Sequence, residues 1–132
     1  IWIPVNVLMI NALLNYYAFY GNKFKIECPT GSGNKMNLLD VAKFISARIS
    51  DIFIKNENGT RPSNGNSEKL NQDAYWNKLI LFYEYFHGDT GQGLGASHQT
   101  GWTGCVVELL KIVNNITPEN FGSVTHFSWY NA

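Results

Sequence analysis

One carboxylate among aromatic side chains is the feature of this sequence best suited to chemistry. Glu84 lies between Tyr83 and Tyr85, and a glycine-rich loop follows at residues 88–97. Aromatic rings stack on sugar faces, polar groups bind sugar hydroxyls, and a carboxylate can act on water or on an anomeric carbon. A plain core strand with a half-exposed Glu84 is the alternative interpretation, and composition alone does not exclude it.

The composition favours one modest domain with a real core. The chain has 132 residues, and its ten basic and ten acidic residues cancel, so a surface that follows nucleic-acid phosphates is not expected. Charged residues make up 15% of the chain and aromatic residues 14%. This charge-poor, aromatic-rich composition is typical of a deep core or of a carbohydrate cleft, and it argues against disorder.

Two helices are predicted in the first half of the chain. Residues 5–20 show apolar side chains at three- and four-residue steps, and Gly21 ends the pattern. Asn37 is the predicted N-cap of a second helix, with Asp40 favourably placed in its first turn. The apolar stripe of the first helix is Val5, Leu8, Met9, Ala12, Leu13, Tyr16 and Tyr20. The stripe of the second is Leu38, Val41, Ala42, Ile45, Ile49, Ile52 and Phe53.

The second half of the chain is predicted to contain one long helix and one extended segment. Residues 75–81 are compatible with a helix, 82–86 with an extended aromatic segment, and 88–97 with a loop or hairpin. A last helix is expected over residues 100–114, with four inward side chains: Val106, Leu109, Leu110 and Val113. The aromatic residues of the tail need a surface to dock on; they are Phe121, Phe127, Trp129 and Tyr130.

Other familiar site patterns are absent from the sequence. The segment Gly31-Ser32-Gly33 lacks the Gly-Lys-Ser/Thr ending of a phosphate loop. Cys28 and Cys105 could form one disulfide or remain two free thiols. The histidines have no metal-ligand spacing with one another, and they are His87, His98 and His126. We therefore expect neither a metal nor a cofactor.

The block from Glu84 to Thr103 resembles the C-terminal motif of glycoside hydrolase family 63, which includes the processing α-glucosidase. It reads E-Y-F-H-G-D-T-G-Q-G-L-G-A-S-H-Q-T-G-W-T. The start of the chain is similar to the family's W-x-x-x-N pattern, at Trp2 and Asn6. Residues 27–33 and Arg61-Pro62 look like segments of the microbial and fungal branch. The resemblance extends to about Val113.

This resemblance implies an all-α fold, namely the C-terminal helices of an (α/α)6 toroid, with long loops and a short extended or hairpin segment near the active site. Residues 1–132 would then be the C-terminal portion of one catalytic domain without an internal boundary. The family's inverting mechanism implies Glu84 as the general base. The matching general acid would lie upstream, so we expect this segment alone to be inactive, because inversion uses two carboxyl groups.

The resemblance also suggests the other parts of a sugar site. Candidate stacking platforms are Trp2 and Trp102, for which core packing is the alternative, and candidate hydroxyl ligands are Asn6, His98 and Gln99. The expected partners are an oligosaccharide or glucoside substrate and the missing N-terminal part of the same enzyme. Nucleic acid and a membrane span are not expected, and both a cytoplasmic and a secretory location remain open. The alternative function is a non-catalytic carbohydrate-binding or structural subunit derived from the same fold.

Overall fold

The computed structural model of the chain describes residues 1–124. Six α-helices occur in this part: α1 Ile3–Tyr20, α2 Leu38–Ser50, α3 Glu68–Gln72, α4 Thr100–Thr103, α5 Val106–Asn115 and α6 Phe121–Val124. Four short strands accompany them: β1 Lys25–Glu27, β2 Lys35–Asn37, β3 Tyr85–Phe86 and β4 Gly93–Leu94. Single 3-10 turns lie at Gly21–Lys23, Asp51–Phe53, Pro62–Asn64 and Trp76–Lys78.

The two antiparallel strand pairs show that the expectation of an all-α partial toroid is wrong. β1 pairs with β2, with Ile26 opposite Met36, and β3 pairs with β4, with Tyr85 opposite Leu94. The described chain is therefore a mixed α and β structure. Strands of two or three residues are too short to show an alternating pattern in the sequence. The β3–β4 hairpin confirms the hairpin predicted there, and two residues of the predicted extended segment 82–86, Tyr85 and Phe86, form a strand. Strands β1 and β2 were not predicted.

Helix α2 lies at the centre of the core, where it packs against both α1 and α5. It begins as predicted, because the Asn37 side chain accepts a hydrogen bond from the Asp40 N–H at 2.8 Å. Phe86 of β3 is almost fully buried and meets Phe53 edge-on, with ring centroids 5.1 Å apart. Strand β3 is thus tied to the same core as the helices.

Helix α1 forms as predicted but buries a different face. The side chains that pack into the core are Ile3, Ile10, Leu14 and Tyr17. Most of the predicted stripe is exposed, including Val5, Leu8, Met9, Tyr16 and Tyr20. Apolar side chains of α1 point in all directions around its axis. The periodicity therefore predicts a helix but does not specify which face packs into the core.

The C-terminal part differs from prediction in two places. Residues 75–81 contain only the single turn Trp76–Lys78. The predicted last helix is divided into α4 and α5 near Gly104, and α5 buries Val106, Leu109 and Ile112 while Leu110 is exposed. None of the helices within residues 1–124 combines the length and apolarity that a bilayer crossing needs.

One aromatic residue of the tail does find a docking surface. The Phe121 ring meets Tyr17 of α1 edge-on at a centroid distance of 4.8 Å. The remaining tail aromatics, Phe127, Trp129 and Tyr130, lie outside the described residues.

Candidate functional site

Glu84 lies immediately before β3 and is held by the segment that follows β4. Its backbone N–H donates to the Ala96 carbonyl oxygen at 2.9 Å, and its side-chain Oε2 accepts from the Ala96 N–H at 3.2 Å. Glu84 as a whole residue is half-buried. A carboxylate fixed by a backbone donor keeps one direction while its other oxygen has further acceptor capacity. Glu84 is therefore oriented rather than freely rotating.

Gly95 makes room for this carboxylate. Its φ is +72°, which is left-handed backbone that favours glycine. A Cβ at this position would stand 2.7 Å from Glu84 Oε2 and 2.7 Å from Tyr85 Cε1. The Glu84 carboxylate and the Tyr85 ring therefore both lie close to Gly95, in space that a Cβ would occupy. Any larger residue at position 95 would displace at least one of them.

Backbone pairing brings the start of the chain beside Glu84. The Phe86 N–H donates to the Ile1 carbonyl oxygen at 2.9 Å, and the Ile1 nitrogen donates to the Phe86 carbonyl oxygen. Strand β3 consequently lies between β4 and Ile1. This arrangement places Trp2, the residue before α1, against Tyr85, although the two are far apart in sequence.

Three aromatic side chains form a continuous surface here, which we call the aromatic face: Trp2, Tyr85 and Trp102. Trp2 stacks on Tyr85 with ring centroids 6.1 Å apart and planes at 24°, and it meets Trp102 edge-on at 5.7 Å. Trp2 is 47% exposed and Trp102 is 37% exposed. Each tryptophan keeps more than a third of its surface open to solvent in this chain, so part of each ring is available for contact with another molecule or segment.

Trp102 is a residue of the short helix α4, which backbone hydrogen bonds hold in place. The carbonyl oxygen of Gln99 accepts hydrogen bonds from the N–H groups of Trp102 and Thr103, at 3.0 and 2.8 Å. The Thr103 hydroxyl is fully buried and donates to the Tyr83 carbonyl oxygen. Cys105 donates through Sγ to the Trp102 carbonyl oxygen at 3.0 Å. Helix α4 is thereby tied to the segment that carries Glu84.

Cys105 lies between α4 and α5 and is half-buried. Burial is the main cause of the raised pKa of the Cys105 thiol, so the neutral form persists to higher pH than in an ordinary cysteine. Cys105 and Cys28 are both free thiols, and Cys28 is buried.

The predicted hydroxyl ligands are less closely connected to the aromatic face. The Asn6 amide group donates to the Trp2 carbonyl oxygen at 2.8 Å, so its Nδ2 is engaged at the start of α1. His98 is exposed, its Nε2 lies 3.3 Å from Thr100 Oγ1, and its ring is 6.2 Å from that of Phe82. Gln99 is exposed and acts through its backbone, since its N–H donates to the Phe82 carbonyl oxygen at 2.6 Å.

Asn6 also lines a separate open hollow of about 360 Å³. Its polar lining includes Asn6, Arg48 of α2, Asp51 and Asp89. Glu84, Trp2 and Trp102 do not line it. This hollow is therefore separate from the aromatic face, and we locate the candidate chemistry at Glu84 because the carboxylate and the exposed rings occur together there.

Residues 1–124 offer no group of three or more His, Cys, Asp or Glu side chains able to hold a metal ion. What the site presents is one fixed carboxylate beside exposed rings. Such a group can accept a proton from a bound water, and the rings can bind the flat face of a sugar.

Sequence reasoning missed the role of Gly95, which it treated only as part of a loop. It considered Tyr85 as one of the rings beside Glu84 or as a core residue, but it did not predict the contact of Tyr85 with Trp2. Tyr85 joins the site because Trp2 is paired against it through Ile1 and Phe86, a contact between distant segments. Gly95 could have been noticed as one of several closely spaced glycines, but its role depends on the position of the Glu84 side chain.

Comparison with known proteins identifies one long relative. The chain is 44% identical over 115 residues to the uncharacterized protein YMR196W of Saccharomyces cerevisiae. The aligned region covers 86% of this chain and 11% of the yeast protein, so the chain spans a small part of that relative's length. No protein-family model and no solved structure matches the chain.

Proposed function

We propose that this chain contributes the general base and one wall of the sugar-binding cleft to an inverting, α-glucosidase-like glycoside hydrolase. The observation that supports the proposal is the placement of Glu84 next to the aromatic face, with Gly95 bringing the carboxylate and Tyr85 together. The resemblance of residues 84–103 to the family 63 motif supplies the reaction class.

In this proposal Glu84 takes a proton from the water that attacks the anomeric carbon. Its Oε2 is held by the Ala96 N–H, which leaves Oε1 to face that water. An inverting enzyme also needs a general acid on the opposite side of the sugar, with carboxyl groups roughly 6.5–9.5 Å apart so that water fits between them. We assign that acid to the upstream part of a longer protein, so these 132 residues alone should hydrolyse no glucoside.

A non-catalytic carbohydrate-binding role is the second candidate. The exposure of Trp2 and Trp102 favours it, because exposed rings can bind a sugar without a second carboxylate. The two candidates differ in whether the Glu84 carboxylate is required for turnover or only contributes to binding.

The aromatic face itself is tested by Trp102→Ala in the complete protein. We expect oligosaccharide binding to weaken about tenfold, which corresponds to 1.4 kcal/mol of lost contact. Calorimetric titration with α-linked gluco-oligosaccharides measures the affinity, and thermal melting measures the stability. Because Trp102 is 37% exposed, the melting temperature should fall little, whereas a core tryptophan would cost about 3–5 kcal/mol.

The matched control is Trp76→Ala. Trp76 is also partly exposed, but it lies elsewhere in the chain, with the Lys69 ammonium 3.9 Å from its ring centroid. This variant should bind sugar as the wild type does. A large loss of stability in Trp102→Ala, or equal affinity losses in the two variants, would remove the ligand role of Trp102.

A further inference from the structure

Helix α1 is unusual because it carries no charged residue along its 18 positions. The exposed side of a helix at a protein surface is normally charged or polar. One face of α1 packs into the core, and the opposite face is also apolar. The residues of that opposite face follow three- and four-residue steps, and we call them the outer stripe: Val5, Leu8, Met9, Ala12, Tyr16, Phe19 and Tyr20.

The outer stripe is open to solvent in this chain. Leu8 is 70% exposed and Phe19 is 82% exposed, and these two side chains lie in the first and second halves of the helix. Large exposed apolar patches on soluble proteins mark interaction sites. The exposed stripe runs most of the length of α1, so it is more than the scattered apolar residues found on any surface.

The C-terminal half of the outer stripe is an ordered row of rings. Tyr16 and Tyr20 stack with centroids 6.3 Å apart, and Tyr20 stacks on Phe24 at 4.9 Å. Phe19 meets Tyr20 edge-on at 4.9 Å. Aromatic side chains concentrate the energy of protein interfaces, because each buries a large area and loses little rotamer freedom.

We propose that this chain is part of a longer polypeptide and that the outer stripe is the docking surface for an apolar helix of that polypeptide. The spacing of the stripe makes a ridge that fits the groove of another helix, which is the ordinary geometry of helix packing. Because α1 carries no charged residue, docking a helix against the stripe would bury no charged side chain of α1. This assignment does not depend on the glycosidase proposal.

The occupant is argued from the length of the relative. The aligned region is 11% of the yeast protein, so a polypeptide of that kind has a large remainder that can supply a helix. A segment tethered to α1 acts at an effective concentration of about millimolar. A second copy of the chain would have to compete with this tethered helix, and we therefore assign the stripe to the same polypeptide.

The test is the accessibility of two stripe positions in the complete protein. Leu8→Cys and Phe19→Cys are prepared separately and labelled with a maleimide under native conditions, with each peptide quantified by mass spectrometry. Both residues are exposed in the isolated segment, so neither change removes a core contact within it. Labelling of both should be at least about tenfold slower than in urea-unfolded protein, once corrected for reagent reactivity, because the docked helix must first open.

The matched control is Glu57→Cys, which lies in an exposed polar loop. It should react at the same corrected rate in native and unfolded protein. Sedimentation and dilution then separate the possible occupants. Protection that persists in a monomeric complete protein supports the proposal. Native labelling of Leu8→Cys and Phe19→Cys at the control rate would overturn it, as would protection that disappears when a dimer dissociates.

Discussion

Glu84→Gln in the complete protein should lower kcat by at least about 10²-fold while leaving sugar binding nearly unchanged. General acid–base groups contribute roughly 10²–10⁴-fold to the rate. Glutamine has the same shape, and its side-chain oxygen can still accept the Ala96 N–H, so the position of the side chain should be kept. Only the ability to take a proton from water is lost.

The measurement is steady-state hydrolysis of aryl and oligosaccharide α-glucosides, together with calorimetric binding of an unreactive oligosaccharide. The matched control is Glu57→Gln, which removes a carboxylate from an exposed loop and should turn over as the wild type does. Turnover close to wild type in Glu84→Gln would exclude Glu84 as the base and favour the carbohydrate-binding alternative.

Gly95→Ala should be the most damaging small substitution near the site. Its new methyl group would stand 2.7 Å from Glu84 Oε2 and 2.7 Å from Tyr85 Cε1, so the carboxylate must move. A displacement of about 1 Å can cost about 10²-fold in rate when it disturbs a reacting group. The left-handed backbone at φ +72° adds a separate cost of roughly 1–2 kcal/mol in stability.

Gly31→Ala separates the two effects. Gly31 has φ +82°, but a Cβ there would meet no atom within 4 Å. The left-handed backbone should lower the melting temperature of both variants, and only Gly95→Ala should also lose turnover. Equal kcat values for the two variants would show that the contact between residue 95 and Glu84 has no part in catalysis.

The sequence predicted those local features that depend on neighbouring residues. The Asn37 cap, the end of α1 at Gly21 and the hairpin after Glu84 all follow from turn and capping chemistry within a few residues. Strands β1 and β2 were missed because each has three residues. Their pairing depends on the intervening turn, in which the Cys28 N–H donates to the Asn34 carbonyl oxygen at 2.9 Å.

Helix α1 shows the limit of periodicity more clearly. Ile10 and Leu14 belong to one apolar face, and Leu8 and Tyr16 belong to the other. Both faces have helical spacing, so the sequence pattern does not show which of the two packs against α2. A similar limit applies to the site, where Tyr85 meets Trp2 through long-range backbone pairing that no local pattern encodes.

The stereochemistry of hydrolysis tests the central claim most directly. Proton NMR of the complete protein acting on an α-glucoside records which anomer of glucose appears before mutarotation mixes the two. Water activated by Glu84 must attack from the face opposite the leaving group, so β-glucose should appear first. Initial release of α-glucose, or no hydrolysis across a panel of α-linked glucosides, would contradict the assignment of Glu84 as the base of an inverting glycosidase.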